Sequence, residues 1–161
     1  MDMLFFISAP GYTSSQFNAT KIRVHLRSGV AEILPGHQAM LGKVDQNIIE
    51  VETNFENKSE SSLYVAQQAV FVVNEGGATE TSDQGQGKET KVVVYAKNVR
   101  ELNSKGSGQS DAIQKEYDVK VNELERKTAS GEDMIPSEVL VLKEDIAFLS
   151  KVLEVSKTSK R

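Results

Sequence analysis

The chain has 161 residues, of which 39% are hydrophobic and 6% aromatic, with no tryptophan and a formal net charge of −4. This length suits one or two small domains with a modest core, and the acidic balance argues against a general nucleic-acid binder, which carries a basic excess on one face. Lack of cysteine excludes disulfides, thiolate zinc sites and thiol catalysis, and fits an intracellular protein.

The first hundred residues read as strands. Met1-Asp2-Met3-Leu4-Phe5-Phe6-Ile7 has no basic leader, so its apolar run reads as a first strand, residues 4–8, rather than a signal sequence. Ala9-Pro10-Gly11 stops it. Residues 20–26 alternate, with Ile22, Val24 and Leu26 on one face and Lys21, Arg23 and His25 on the other, the period of a half-buried strand. Residues 30–34 form the next strand and end at Pro35-Gly36. Proline fixes φ and glycine tolerates φ > 0, so this pair closes a tight turn and lifts His37 and Gln38 to a loop tip. Residues 47–54 alternate Ile49 and Val51 with Glu50 and Glu52. Residues 62–74 are a longer strand, with a bend or bulge expected near Gln67-Gln68. A polar loop over 75–87 leads to a last strand at 92–95. Short strands at spacings near ten residues indicate a sandwich or barrel.

Beyond the linker-like Asn103-Ser104-Lys105-Gly106-Ser107-Gly108 the period changes. Ile113, Tyr117, Val121 and Leu124 recur at helical spacing, and so do Val139, Leu142, Ile146, Leu149 and Leu153. Pro136 stands where a first helical turn tolerates proline, and Glu138 favours the positive end of the helix. Two helices of about four turns each, with one apolar seam, make an antiparallel hairpin. The expected organisation is α+β: a β-sandwich over 1–102, a linker over 103–109, a helical hairpin over 110–156 and a tail over 157–161. No stretch approaches the ~20 apolar residues of a transmembrane helix.

Candidate chemistry is sparse. His25 lies on a polar strand face, and His37 has no second histidine, cysteine or close acidic pair, so neither predicts a metal site. No G-x-S-x-G elbow is present. Gly85-Gln86-Gly87-Lys88-Glu89-Thr90 fails the phosphate-loop pattern, with Ser82 and Glu89 at the decisive positions and a strand rather than a helix to follow. Glu50 and Glu52 share a strand face and read as a solvated pair. The helical lysines Lys115, Lys120, Lys127, Lys143, Lys151 and Lys157 are interleaved with acids, as on a mixed surface. Composition and motifs thus predict an interaction protein with no catalytic, metal-binding or cofactor-binding residues.

The order of pieces, with Gly29 to His37 ending in Ile33-Leu34-Pro35-Gly36-His37 between early strands, resembles the ε subunit of bacterial and chloroplast F-type ATP synthases, called δ in mitochondria. Phe5-Phe6-Ile7-Ser8-Ala9-Pro10-Gly11 looks like the family's opening strand and turn. The likeness is to a divergent member. Glu32 replaces the second glycine of the loop signature, Gln67-Gln68 replaces a Gly-Gly, and the 102–107 segment lacks the ATP-binding motif of some ε subunits.

The resemblance implies a non-catalytic rotor subunit of the central stalk, coupling rotation to ATP synthesis or hydrolysis and so to proton transport. Its sandwich would hold the γ subunit, and a loop with Glu32, Pro35, Gly36, His37 and Gln38 would face the c-ring. Its hairpin would lie on the sandwich or extend to inhibit the ATPase, with Lys143 and Lys151 meeting the α/β catalytic hexamer. It further implies no cofactor, no nucleic acid, and membrane contact only through the complex. That complex would sit on the cytoplasmic face of a bacterial membrane, or on the mitochondrial matrix or chloroplast stroma side. The alternatives are the equivalent subunit of an F1-like ATPase not coupled to proton transport, and an unrelated β-sandwich adaptor.

Overall fold

The computed structural model describes residues 2–56, 58–75, 89–102, 109–130 and 135–158. These form two compact units, Met1–Glu101 and Leu102–Arg161. The fold is α+β, a β-sandwich followed by a two-helix hairpin.

Eight strands build the first unit: β1 (Met3–Ala9), β2 (Tyr12–Ala19), β3 (Lys21–Leu26), β4 (Gly29–Ile33), β5 (Met40–Phe55), β6 (Lys58–Asn74), β7 (Lys91–Tyr95) and β8 (Asn98–Leu102). They hydrogen-bond in the order β2-β1-β7-β6-β5-β3-β4, with β8 beside β6. All pairs along this order are antiparallel except β1 with β7. The long hairpin β5–β6 serves both layers of the sandwich. Its open end joins β7, β1 and β2, while its turn end carries β3 and β4.

The passage between layers falls at Asp45/Gln68, where the β5–β6 ladder skips a pair and Gln68 takes φ 48°. This is the irregularity expected near Gln67-Gln68. Left-handed backbone is where glycine is at home, and glutamine holds it here because its surroundings fix it. Gln67 is buried. Its amide donates to Gln46 Oε1 at 3.1 Å and its carbonyl accepts from Asn98 Nδ2 at 2.7 Å. The Lys97 N–H donates to the backbone carbonyl of Gln67 at 3.0 Å. This polar node ties β5, β6 and the β7–β8 turn together in the interior, where an unmet polar group costs most.

The core lies between the layers. Phe5 and Ile7 of β1, Ile22 and Val24 of β3, Ile33 of β4, Ile49 and Val51 of β5, and Phe71 of β6 are fully enclosed. Phe5 anchors it, with its ring 5.4 Å from Phe17 and 5.9 Å from Tyr64. Gly42 faces Phe71 so closely that an added Cβ would run into the ring.

Three strand expectations needed correction. β2 escaped notice because Ser14-Ser15 breaks its alternation, next to a register shift between Ile7 and Ala9. β5 begins at Met40, not 47, because Leu41 is apolar on the outward face and spoils the binary pattern. β8 lies beyond 92–95, the stretch expected to be the last strand.

In the second unit, α1 (Gln109–Ala129) and α2 (Pro136–Thr158) are longer than four turns, with 21 and 23 residues. Gln109 is already helical, although the linker was expected to include it, and α2 runs two residues past the expected 156. Residues 103–108 and 159–161 lie outside the described residues. The helices are antiparallel, as pairs Lys120–Asp145 at 3.6 Å and Lys127–Glu138 at 3.4 Å show. Pro136 opens α2 as expected. Leu142, Leu149 and Leu153 are buried, but so is a second stripe of Phe148, Val152 and Val155. The expectation of a single seam was therefore too simple for α2. In α1 only Ile113 is buried. No described helix is long and apolar enough to cross a membrane.

Candidate interaction surface

After β4 the chain reverses through Leu34-Pro35-Gly36-His37. The His37 N–H donates to the Leu34 carbonyl at 3.0 Å. Gly36, with φ 85°, fills the turn position that requires a left-handed residue. Its own N–H donates to the Thr90 hydroxyl at 2.7 Å. His37 Nδ1 lies 2.8 Å from the Gln38 carbonyl, so the imidazole folds back on its own loop. Leu34 is 46% exposed at the turn, and Gly36 and Gln38 are exposed. Pro35, Gly36, His37 and Gln38 thus sit together. Glu32 does not join them: it is on strand β4, where its carboxylate accepts from Arg23 Nε at 2.9 Å.

Two residues beyond the loop, β5 enters an unusual sheet face. Cross-strand register aligns Leu41 with Val72, Val72 with Val93, and Val93 with Phe6, one apolar row across four strands. The adjoining row runs Lys43, Val70, Tyr95, Ser8. These side chains point away from the core, opposite in phase to buried Phe71, Val73, Val92 and Val94. Leu41 is 72% exposed and Tyr95 58%. The Tyr95 ring lies 6.1 Å from that of Phe6. A solvent-facing sheet surface normally alternates to polar residues. A contiguous apolar one marks a contact surface. Composition hinted at it, since Val70-Phe71-Val72-Val73, Val92-Val93-Val94-Tyr95 and Leu4-Phe5-Phe6-Ile7 are apolar on both faces.

The outer face of β3, β4 and β5 is the opposite in character. Glu32, Arg23 and Glu50 lie side by side in register, beside Lys21 and Glu52. Lys21 bonds Glu52 at 3.0 Å. The Glu32 hydrogen bond, helped by the charges of Glu52 and Glu50, raises the Arg23 pKa further above its ordinary value. His25 Nε2 approaches Glu50 at 3.4 Å. The carboxylates Glu50 and Glu52 are therefore held by surface cations, as a solvated ladder of modest worth. At the turn end of β5–β6, a cleft of about 760 Å³ is lined by Asp2, Phe17, Phe55, Glu60, Tyr64 and Glu101 among others. Burial, then the Glu101 charge, pushes the Tyr64 phenol up, so it stays neutral. No group of three or more metal-ligating side chains occurs among the described residues.

On α2, Lys143 is exposed, and Lys151, two turns on, reaches Glu154 at 3.4 Å. Nearby Ile135, Leu140 and Val141 are also exposed.

The fold is similar to a chain in the cryo-EM structure of Euglena gracilis mitochondrial ATP synthase, OSCP/F1/c-ring in rotational state 1. The TM-score is 0.50 at 16% identity, over 94% of this chain and 81% of that one. A chain of the Tetrahymena thermophila mitochondrial ATP synthase central stalk/c-ring structure aligns with a TM-score of 0.46 at 10% identity, over 95% and 97%. No protein-family model matches the sequence, and no curated protein matches it. The first likeness is one of fold.

Proposed function

We propose that the chain is a non-catalytic subunit of the central stalk of an F1-type ATP synthase or ATPase, in the position of the ε subunit. The observation that carries this reading is the joining of two features on one surface: an apolar outer sheet face and, continuous with it through Leu41, a Pro-Gly turn fastened at its tip. The fold shared with a chain of the Euglena assembly supports it. The apolar face packs against the γ shaft, where aromatic and aliphatic anchors leave water together. The loop with Pro35, Gly36, His37 and Gln38 meets the c-ring, and its internal bonds keep the ordering cost of that contact low. The hairpin restrains ATP hydrolysis, with Lys143 and Lys151 toward acidic groups of the catalytic hexamer. The subunit reaches the membrane only through the complex, on the side that carries the catalytic head. It transmits motion by contact and uses no cofactor.

A tagged full-length chain, purified from its source under mild detergent, is expected to bring down the γ shaft and the catalytic hexamer in a ratio of one copy to one complex. Truncation after residue 108 should leave that assembly intact and speed its ATP hydrolysis. Unchanged hydrolysis would remove the inhibitory role. Recovery alone, or with a protein foreign to rotary ATPases, would leave the adaptor alternative. Recovery of a catalytic hexamer without a membrane ring would favour an ATPase uncoupled from proton transport.

A further inference from the structure

We propose that Thr90, 54 residues away in sequence, is the positioning residue of the Pro-Gly-His loop. The loop's own turn bond is used by His37 and Leu34, which leaves the Gly36 N–H to seek a partner elsewhere. The Thr90 hydroxyl accepts it at 2.7 Å, a short distance for an N–H donor. Thr90 itself is only 2% exposed. Its carbonyl accepts from the Leu4 N–H at 2.9 Å, and the next residue, Lys91, pairs with both Leu4 and Asn74. The hydroxyl is thus a fixed point on the sheet core, set by β1, β6 and β7. Without it, the loop keeps only its ends and the His37–Leu34 turn bond, and the Gly36 N–H loses its tie to the sheet.

Threonine meets both demands of the site. Its methyl fills a buried position beside β7, and its oxygen supplies the one acceptor. Valine keeps the shape and lacks the acceptor, whereas serine keeps the acceptor and lacks the methyl. These two substitutions separate latch from packing.

This inference rests on reading the loop as the ring-facing element, and the test has one arm for each idea. In the full chain, Thr90→Val should speed hydrogen exchange of the Gly36 amide about tenfold, the effect of one lost hydrogen bond, with amides of Val73 and Val92 unchanged. Thr90→Ser should exchange like the parent. Thr90→Ala replaces the valine variant if that disturbs β7. In the assembled complex in vesicles, proton pumping per ATP hydrolysed should fall at least twofold for Thr90→Val and recover for Thr90→Ser. Unchanged exchange in both valine and alanine variants, or equal loosening in the serine variant, overturns the latch. Faster exchange with pumping intact leaves the latch standing and overturns the claim that the latched loop meets the ring.

Discussion

Leu41→Glu combined with Tyr95→Glu is expected to weaken binding to the γ shaft at least about 100-fold while leaving the isolated chain folded. Both side chains are more than half exposed, so neither supports the core, and exposed substitutions of this kind shift stability by only about 0.5 kcal/mol. In the complex the balance reverses. Each substitution removes an apolar anchor of the sort that costs about 2 kcal/mol or more at the centre of an interface. Each also obliges a carboxylate to lose water without a partner. The donors nearby offer no relief, since Lys43 is already 3.2 Å from Asp45 and Lys91 lies outside these rows, paired with Leu4 and Asn74. Thermal unfolding followed by circular dichroism checks the first half of the expectation, and titration of the purified shaft checks the second. Placing the same two carboxylates at Lys21 and Thr53, on the charged face and the turn end, should change affinity little.

Phe71→Ala should destabilise the sandwich by about 3–5 kcal/mol, the range for a large aromatic lost from a packed core. Phe71 is fully buried, and its ring occupies the space over Gly42. Gly42→Ala is expected to cost about 1–3 kcal/mol by overpacking, because its methyl meets a ring that is fully buried. The pair is informative together. In Gly42→Ala/Phe71→Ala the new methyl enters the hole that the ring leaves, so the double variant should lose less than the sum by about 1 kcal/mol or more. Urea midpoints of the three variants measure this. Strict additivity would show that the ring does not define the space over Gly42.

The strands with one wet face were legible from the chain. Ile22, Val24, Ile49 and Val51 alternate with charged residues, and all four are buried in the core. The helical stripes from Ile113 and Leu142 onward were equally plain, because a period near four survives any detail of packing. The turn at Pro35-Gly36 followed from the backbone limits of its two residues. What failed to show was governed by pairing at a distance. β2 looks like polar loop until β1 is beside it, since Phe17 and Ala19 are its only strongly buried or core-packed members near the middle and end.

The apolar face was hidden for a related reason. In one dimension Val92-Val93-Val94-Tyr95 reads as a strand sunk on both sides. Only the register shows that Val93 and Tyr95 share an open face with Leu41 and Phe6. The tie from Gly36 to Thr90 is similarly invisible, because no local pattern connects a turn glycine to a threonine beyond the following hairpin. Glu32 shows the converse. The resemblance placed it in the loop, while strand parity turns it to Arg23.

Docking of the apolar face on the rotor shaft, as proposed, is open to direct measurement because the chain has no native cysteine. A single Leu41→Cys substitution, labelled with a short photoreactive group and assembled in the complex, reports which protein covers that face. One dominant cross-link is expected, to the γ subunit. A cross-link to a protein outside the ATP synthase, or none despite complete labelling and assembly, would contradict it.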